Sequence, residues 1–292
     1  MGKLLRGSSK NARFFIVDTK DIVQEALDIH KCSPTAIKAF GRLLTGAVMM
    51  GATLKGDDLL TLRMNTDGLL KQMLVTTDAG GNVKGYLSNP EVDLELKDGE
   101  VPKVGDLVGK GSLTVIKDMG LKEPYVGVSQ IVSGEIGEDI AYYYYTSEQT
   151  PSVVVLGVSL GPDMRVKNAG GYMIQLLPEA SDNFITKLEA KIKAMRPMTE
   201  LLAGGMSLKR IAKLIYEDID SQDDLALIED YSIYEEKKIS YKCNCSKDKF
   251  YKGLITIKRE ELEEIFTEKP ELEVECHFCQ KKYSFTKDEL LG

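Results

Sequence analysis

The chain has 292 residues, 43 % of them hydrophobic, which is enough to bury one large core or two smaller ones. Its formal net charge of -7 argues against a nucleic-acid partner, because a protein that binds the phosphate backbone needs a basic face. No apolar run reaches the length of a membrane span and the N-terminus lacks the apolar stretch of a signal peptide, so we expect a cytoplasmic protein with no membrane partner.

Residues 1–178 have the pattern of an α+β domain in which an antiparallel sheet packs against helices. Short strand-like segments are separated by Gly and Asn turns, and "DAGGN" is a natural hairpin turn because glycine accepts positive φ. The segments that predict strands are "LLTLRMNTDG", "KQMLVTTDAGGNVKGYLSN", "GSLTVIKD", "YVGVSQIVSG", "SVVVLGVSLG" and "GYMIQLLP".

Three or four helices are predicted between these strands, and two of them have clear sequence signals. In "SPTAIKAFGRLLTGAVMMGATLK", Ser33 is a suitable N-cap, Pro34 suits the first helical position, and apolar residues on most faces indicate a buried helix. Its glycines, Gly41, Gly46 and Gly51, lower helix propensity, so we expect another element to approach them closely. "GEDIAYYYYTSEQTP" predicts a second helix, which Pro151 ends.

Residues 179–232 are predicted to form a metastable helical linker. "SLKRIAKLIYED" has Ser207 as a cap and places Leu208, Ile211 and Ile215 at helical spacing. From Glu217 to Glu236 there are nine acidic residues and no Lys or Arg, so this segment repels itself. An ordinary acidic surface helix is an equally weighted alternative.

Residues 233–292 contain four of the five cysteines, as a CxC pair and a CxxC pair: Cys243, Cys245, Cys276 and Cys279. About sixty residues bury little apolar surface and often need a metal or a cross-link. In a reducing compartment, two thiol pairs at this spacing predict one Zn²⁺ with four thiolate ligands, which is a closed, structural type of site. Iron–sulfur ligation fits the ligand type but matches the spacing less well.

The remaining cysteine and the two histidines are not predicted ligands. Cys32 is interpreted as a small buried hydrophobe, and His30 as structural. Four thiolates already complete a tetrahedron, so we expect His277 to be a solvated side chain.

The cysteine pairs also predict a redox response. Neighbouring lysines favour the reactive thiolate form, and a metal would close a loop of about thirty residues, whereas a disulfide within either pair would close only a small ring. Oxidation within the pairs would therefore remove a long-range link and unfold this domain, together with a marginal linker.

With the CxC and CxxC spacing, "EPYVGVSQIVSGEIGEDIAYYYYTSEQTPS" and "GGYMIQLLPEA" resemble the bacterial redox-regulated thirty-three-kilodalton heat-shock chaperone family over essentially the whole chain. The resemblance implies an ATP-independent holdase that is inactive when reduced and zinc-bound. It implies that Cys243, Cys245, Cys276 and Cys279 are zinc ligands and that oxidation joins Cys243 to Cys245 and Cys276 to Cys279. It also implies a homodimer in the active state, unfolding client proteins as partners, and no enzymatic activity.

Two other functions remain as alternatives. A zinc-ribbon nucleic-acid-binding protein would use the lysines around the cysteines together with Tyr241, Phe250, Tyr251 and Tyr283, but the acidic balance opposes it. A thiol–disulfide oxidoreductase is suggested by "CHFC", but this motif lacks the βαβ surroundings of thioredoxin-like proteins.

Overall fold

A computed structural model describes residues 1–94, 103–217 and 230–292. They form two compact units, Met1–Tyr241 and Lys242–Gly292. The strands described in the first unit are β1 Gly2–Ser9, β2 Ala12–Asp18, β3 Leu59–Thr66, β4 Gln72–Asp78, β5 Asn82–Leu87, β6 Gly111–Asp118, β7 Tyr125–Gln130, β8 Ser152–Leu160, β9 Val166–Leu176 and β10 Tyr231–Tyr241. Its described helices are α1 Lys20–His30, α2 Pro34–Gly51, α3 Val104–Val108, α4 Gly137–Ser147, α5 Asp182–Ala194, α6 Met198–Ala203 and α7 Leu208–Tyr216.

One sheet runs through the first unit in the order β7-β6-β3-β4-β5-β10-β1-β2-β9-β8. All neighbours pair antiparallel except β5 and β10, which pair parallel over two residues only, Ser240 opposite Asn82 and Tyr241 opposite Val83. The predicted α+β class and antiparallel sheet are therefore confirmed. β10 thus lies between two groups of strands: β3 to β7, which form local hairpins, and the group of β1, β2, β8 and β9, which contains the N-terminal strand.

Helix α2 is buried along most of its length, as its apolar composition predicts. The Ser33 side chain caps it by accepting a hydrogen bond from the Ala36 amide at 3.2 Å. A Cβ atom at Gly41 would lie 2.6 Å from Val23 and one at Gly46 would lie 2.4 Å from Ile140, so both glycines allow a neighbour to approach, as predicted. Among the described residues, no helix is both long enough and apolar enough to cross a membrane.

Helices α5 to α7 build a second apolar cluster with β1, β2 and β9. Leu208, Ile211 and Ile215 are buried on α7, so its predicted apolar face is confirmed. The ring of Tyr216, the last residue of α7, lies 5.2 Å from Phe14 of β2. The predicted helical character of the linker thus holds as far as α7, while residues 218–229 lie outside the described part of the chain.

The division into units differs from the predicted boundaries. Residues 233–241, which the sequence assigned to the cysteine domain, lie in β10 and pair with β1. Their alternation, with Ile239 and Tyr241 buried, is typical of a strand, but the partner strand lies at the opposite end of the sequence. That the segment before β10 is metastable stays a prediction.

The predicted structural roles of Cys32 and His30 fit their surroundings. Cys32 is buried, and burial raises the pKa of its thiol to about 12. His30 is 5 % exposed, and its Nε2 lies 3.0 Å from the carbonyl oxygen of Gly85. Burial lowers the pKa of His30, so the ring is held neutral inside the first unit.

Candidate metal centre

The first cysteine pair lies between the end of β10 and the first helix of the second unit. This unit contains α8 Lys247–Leu254, α9 Arg259–Glu268, β11 Glu271–Glu275, β12 Lys282–Thr286 and α10 Lys287–Leu291. Ser246 caps α8 by accepting a hydrogen bond from the Lys249 amide at 3.2 Å, and the Lys249 ammonium donates to the carbonyl of Asn244 at 2.8 Å. Both ends of Lys249 therefore hold the turn that carries Cys243 and Cys245.

The second cysteine pair lies in the turn of a hairpin formed by β11 and β12. The amides of Cys279 and Gln280 both donate to the carbonyl of Cys276, at 3.3 and 2.7 Å, and the Cys276 amide donates to Lys281 at 2.9 Å. Gln280 has a φ of 56°, which lets the chain reverse sharply after the CxxC motif. This turn directs both thiols to the same side of the hairpin.

The fold brings the four predicted cysteines together. The Sγ atoms of Cys243 and Cys276 are 3.7 Å apart, those of Cys245 and Cys279 are 3.4 Å apart, and all four lie within 4.8 Å of one another. A tetrahedron with metal–sulfur bonds of 2.3 Å has sulfur atoms about 3.8 Å apart. The donor set and spacing therefore fit one metal ion bound by four thiolates.

Electrostatics inside the cluster favours a cation. Burial raises the pKa of Cys243, and burial together with the neighbouring thiols raises that of Cys279 to about 12. Burial also acts to raise the pKa of Cys245, but hydrogen bonds, first among them that of the Tyr283 hydroxyl, lower it to about 7. Without a cation, the sulfurs therefore resist ionising together, whereas a divalent ion would offset their mutual repulsion.

Tyr283 is a residue of the centre that sequence reasoning missed. Its hydroxyl lies 3.2 Å from the Sγ of Cys245, and its ring lies 5.2 Å from that of Phe250 on α8. From the sequence, Tyr283 is predicted only as a base-stacking side chain in the nucleic-acid alternative. Alternation along β12 could have indicated it, since Tyr283 and Phe285 lie two residues apart and so share one face of the strand.

The apolar core of the second unit is small. Its buried apolar cluster consists of Leu262, Phe285 and Leu290, with partly buried side chains packed around them. Cys276 is 4 % exposed, so a ligand of the cluster is itself part of the interior. A core of this size supplies little stability, which indicates that the unit depends on what its cysteines bind.

The lysines near the cysteines have acidic partners. Lys247 pairs with Glu289 at 2.6 Å and Lys282 with Glu273 at 2.8 Å. Residues 242–292 contain eleven acidic and ten basic residues. The second unit is therefore nearly neutral. His277 is exposed, as predicted.

Comparison with known proteins gives the family. The family model described as "Hsp33 protein" matches residues 3–286. The chain belongs to the Hsp33 family.

Relatives in this family align with nearly the whole chain. A "33 kDa chaperonin" of Clostridium acetobutylicum is 44 % identical over 99 % of this chain and 95 % of its own length. A protein of the same name from Clostridium perfringens is 42 % identical over 99 % of this chain and 90 % of its own length. The crystal structure of the 33 kDa chaperonin from Thermotoga maritima superposes with a TM-score of 0.86 at 30 % identity, covering 98 % of this chain and 96 % of that one. The chain is thus a member of a chaperone family, and its cysteine cluster fits metal binding and redox-sensitive disulfide formation.

Proposed function

We propose that this protein is a redox-regulated, ATP-independent holdase of the cytoplasm and not an enzyme. In its reduced form it holds one zinc ion through Cys243, Cys245, Cys276 and Cys279 and is inactive. In its oxidised form these cysteines are disulfides, the protein favours a homodimer, and it binds unfolding client proteins so that they do not aggregate. The observation that carries the proposal is the four-sulfur cluster, which links both ends of a unit with a very small apolar core.

Zinc, when bound, stabilises four thiolates and links the two ends of the second unit. The two cysteine pairs are about thirty residues apart, and closing a loop of that length contributes about 3.7 kcal/mol by the chain-entropy estimate. A disulfide within one pair closes a ring worth under about 2 kcal/mol. Exchanging the first kind of link for the second therefore leaves the small core of this unit without its main support.

The proposed oxidation is balanced in electrons and atoms. As zinc-bound thiolates, Cys243 and Cys245 together would lose two electrons as their S–S bond forms, Cys276 and Cys279 would do the same, and the zinc ion would be released to solvent. With hydrogen peroxide as oxidant, the formation of each disulfide reduces one molecule of peroxide, which takes up two protons from solvent and gives two molecules of water. Once joined, these sulfurs are no longer thiolates, and the ligand set is lost.

Two features support this proposal over the alternatives. The near-neutral charge of residues 242–292 and the ion pairs of Lys247 and Lys282 leave little positive field for a nucleic-acid backbone. A site closed by four thiolates has no open position for a substrate, unlike a catalytic zinc site.

The test measures zinc content and suppression of thermal aggregation of an unrelated protein on one sample, before and after peroxide treatment at raised temperature. We expect zinc loss and the gain of anti-aggregation activity to occur together. Cys32→Ala is the matched control, because it removes the one cysteine outside the cluster and should respond as the wild type does. Zinc retained after oxidation, or activity that never develops, would contradict the proposal.

A further inference from the structure

Strand β10 is paired along one edge over most of its length. Residues Tyr231–Ile239 pair with β1, whereas pairing with β5 is limited to Ser240 and Tyr241. Across residues 1–94, 103–217 and 230–292, no other strand pairs with β10. Although it lies in the middle of the sheet order, β10 is therefore an edge strand with one anchored end.

Few side chains of β10 are buried. Only Ile239 and Tyr241, at its C-terminal end, are buried, with 1 % and 6 % of their surface exposed. Tyr234, however, is 64 % exposed. On the partner strand, by contrast, Leu4 and Leu5 are fully buried. The burial of apolar surface thus fixes β1 strongly and β10 weakly, so β10 is the strand that can leave.

The buried end of β10 is held by a hydrogen-bonded contact with the core. The Tyr241 hydroxyl donates to the carbonyl of Gly85 at 2.8 Å and lies 3.3 Å from Nε2 of His30. In the sequence, Tyr241 is separated from Cys243 by Lys242 alone. If the second unit unfolds, the residues that follow Tyr241 therefore change from folded structure to unfolded chain.

Most of the other side-chain contacts of β10 are polar, among them a partly buried hydrogen bond from the Lys237 ammonium to the carbonyl of Ala79 at 2.6 Å. Glu235 pairs with Arg6 of β1 at 2.8 Å, and Glu236 pairs with Lys209 of α7 at 3.2 Å. Exposed ion pairs of this kind stabilise weakly. Outside its buried end, β10 is thus held mainly by its backbone ladder to β1 and by the Tyr231 ring, which stacks on Tyr216 at 4.9 Å.

The edge of β1 beneath β10 is shaped to receive a backbone. Gly7 lies at a register shift, and a Cβ there would lie 2.2 Å from the carbonyl oxygen of Ser232. The absence of a side chain lets the facing strand approach. Because strand addition relies on main-chain hydrogen bonds, it tolerates many sequences, as a receptor for diverse unfolded chains requires.

We propose that β10 is a displaceable strand, and that the β1 edge it covers, Gly2–Ser9, binds an extended segment of an unfolded client by strand addition. The structure already shows an occupant of this edge, β10 itself, so the client segment takes the same antiparallel backbone path. The inference rests on the proposed holdase function and deepens it by naming the binding surface and the chemistry of its ligand, an extended peptide with unpaired amides.

The test uses the full-length oxidised protein and synthetic peptides with the sequence of residues 231–241, "YSIYEEKKISY". Two N-methylated versions follow the register with β1, which shifts at Tyr234. One carries methyl groups on the residues opposite even-numbered positions of β1, namely Ser232, Glu235, Lys237 and Ile239, and the other on those opposite odd-numbered positions, namely Tyr231, Ile233, Glu236 and Lys238. In an antiparallel ladder only one alternate set of amides faces the partner strand, so the two peptides differ in whether the β1-facing donors remain. Their side chains are identical, which makes each the control of the other.

The readout is competition of each peptide with reduced, carboxymethylated lactalbumin, a permanently unfolded client. We expect the unmodified peptide and one methylated peptide to compete, and the other methylated peptide to compete at least tenfold more weakly. Equal competition by both methylated peptides would overturn the proposal, because it would indicate capture by an apolar face. Failure of the unmodified peptide to compete would also overturn it.

Two further measurements on the oxidised protein, suppression of aggregation and amide exchange, separate this inference from the holdase proposal. If the oxidised protein does not suppress aggregation at all, the proposed function itself fails. If it suppresses aggregation while amide exchange in Gly2–Ser9 stays as slow as in the reduced protein, the function stands and the β1 site is wrong. If the peptide only converts dimers to monomers and leaves client binding unchanged, the occupant is a second copy, which also overturns the client proposal.

A pair of variants tests the anchoring contact. Tyr241→Phe removes the hydroxyl that binds Gly85 and is expected to accelerate amide exchange in β10 about fivefold to tenfold. Tyr143→Phe is the matched control. Tyr143 lies on α4, away from β10, and the substitution removes a hydroxyl that donates to Glu148 at 2.8 Å. Equal acceleration of β10 in both variants would show that Tyr241 has no special role in holding the strand.

Discussion

The two units of this protein are stabilised in different ways. The first encloses two large clusters of buried apolar side chains, with α2 at the centre of one of them. The second encloses three buried apolar side chains beside a cluster of four cysteines. Under the proposed function, oxidation of the cysteines would therefore unfold the second unit, whose small core depends on its sulfur cluster, and leave the first unit folded.

The largest expected effect is the loss of the second unit when the cysteine cluster is broken. Cys276→Ser removes one of the four proposed zinc ligands, and in small zinc modules the metal contributes roughly 10 to 16 kcal/mol to folding. We expect little zinc in the purified variant and rapid proteolysis within residues 242–292, with the α2 core intact. Mass spectrometry of the fragments measures this, and normal zinc content would contradict the role of Cys276 as a ligand.

A core substitution in each unit makes the comparison sharper. Phe285→Ala should cost about 3 to 5 kcal/mol, as for other buried Phe residues. We also expect it to lower zinc affinity about a hundredfold or more, because folding and metal binding are generally coupled in small zinc modules. Phe40→Ala should destabilise the first unit by a similar amount and leave zinc affinity unchanged. Zinc titration and urea unfolding of both variants test the contrast, and equal zinc affinities would contradict it.

A smaller effect is expected at Tyr283, whose hydroxyl contacts Cys245. Tyr283→Phe keeps the ring against Phe250 and removes only the hydrogen bond to the thiolate. Outer contacts of this kind change metal affinity about 10- to 100-fold, so we expect weaker zinc binding with the unit still folded. Tyr251→Phe on α8 is the control. A competition titration with a chelator that shows equal affinities would mean that Tyr283 only packs.

The smallest expected effect concerns an ion pair of the first unit, Arg42 with Glu135. Although burial acts to raise the pKa of Glu135, hydrogen bonds from the Gly105 amide and from Arg42 outweigh it, and the pKa is lowered. A carboxyl with a lowered pKa stabilises the folded state above its unfolded pKa, near 4.3, and that contribution is lost as the pH falls through the folded value.

Glu135→Gln should therefore destabilise the first unit by less than about 1 kcal/mol at pH 7, and the difference should shrink below about pH 4. Urea unfolding at several pH values measures it. A difference that grows as the pH falls would contradict the assigned charge interaction.

Local signals in the sequence predicted part of this fold well. Ser33 and Pro34 indicated the start of α2, and the "DAGGN" turn indicated the β4–β5 hairpin, because caps and turns depend on neighbouring residues. The cysteine spacing predicted the cluster for the same reason, because the two cysteines of each pair are close in sequence. Only the contact between the two pairs is non-local.

Signals that depend on distant partners were missed. β10 was divided between the linker and the cysteine domain, because its partner β1 lies more than two hundred residues earlier in the chain. Tyr283 was missed because its importance comes from the position of a thiol on another element. Non-local pairing and side-chain proximity are the properties that a single sequence expresses least clearly.

The position of β10 also affects how the protein is made. On a ribosome, β1 emerges more than two hundred residues before its partner strand β10. At about 5 to 20 residues per second, the β1 edge stays uncovered for roughly ten to fifty seconds of synthesis. Lys3 and Arg6 lie on that strand, and such charges discourage edge-to-edge aggregation while the nascent chain waits.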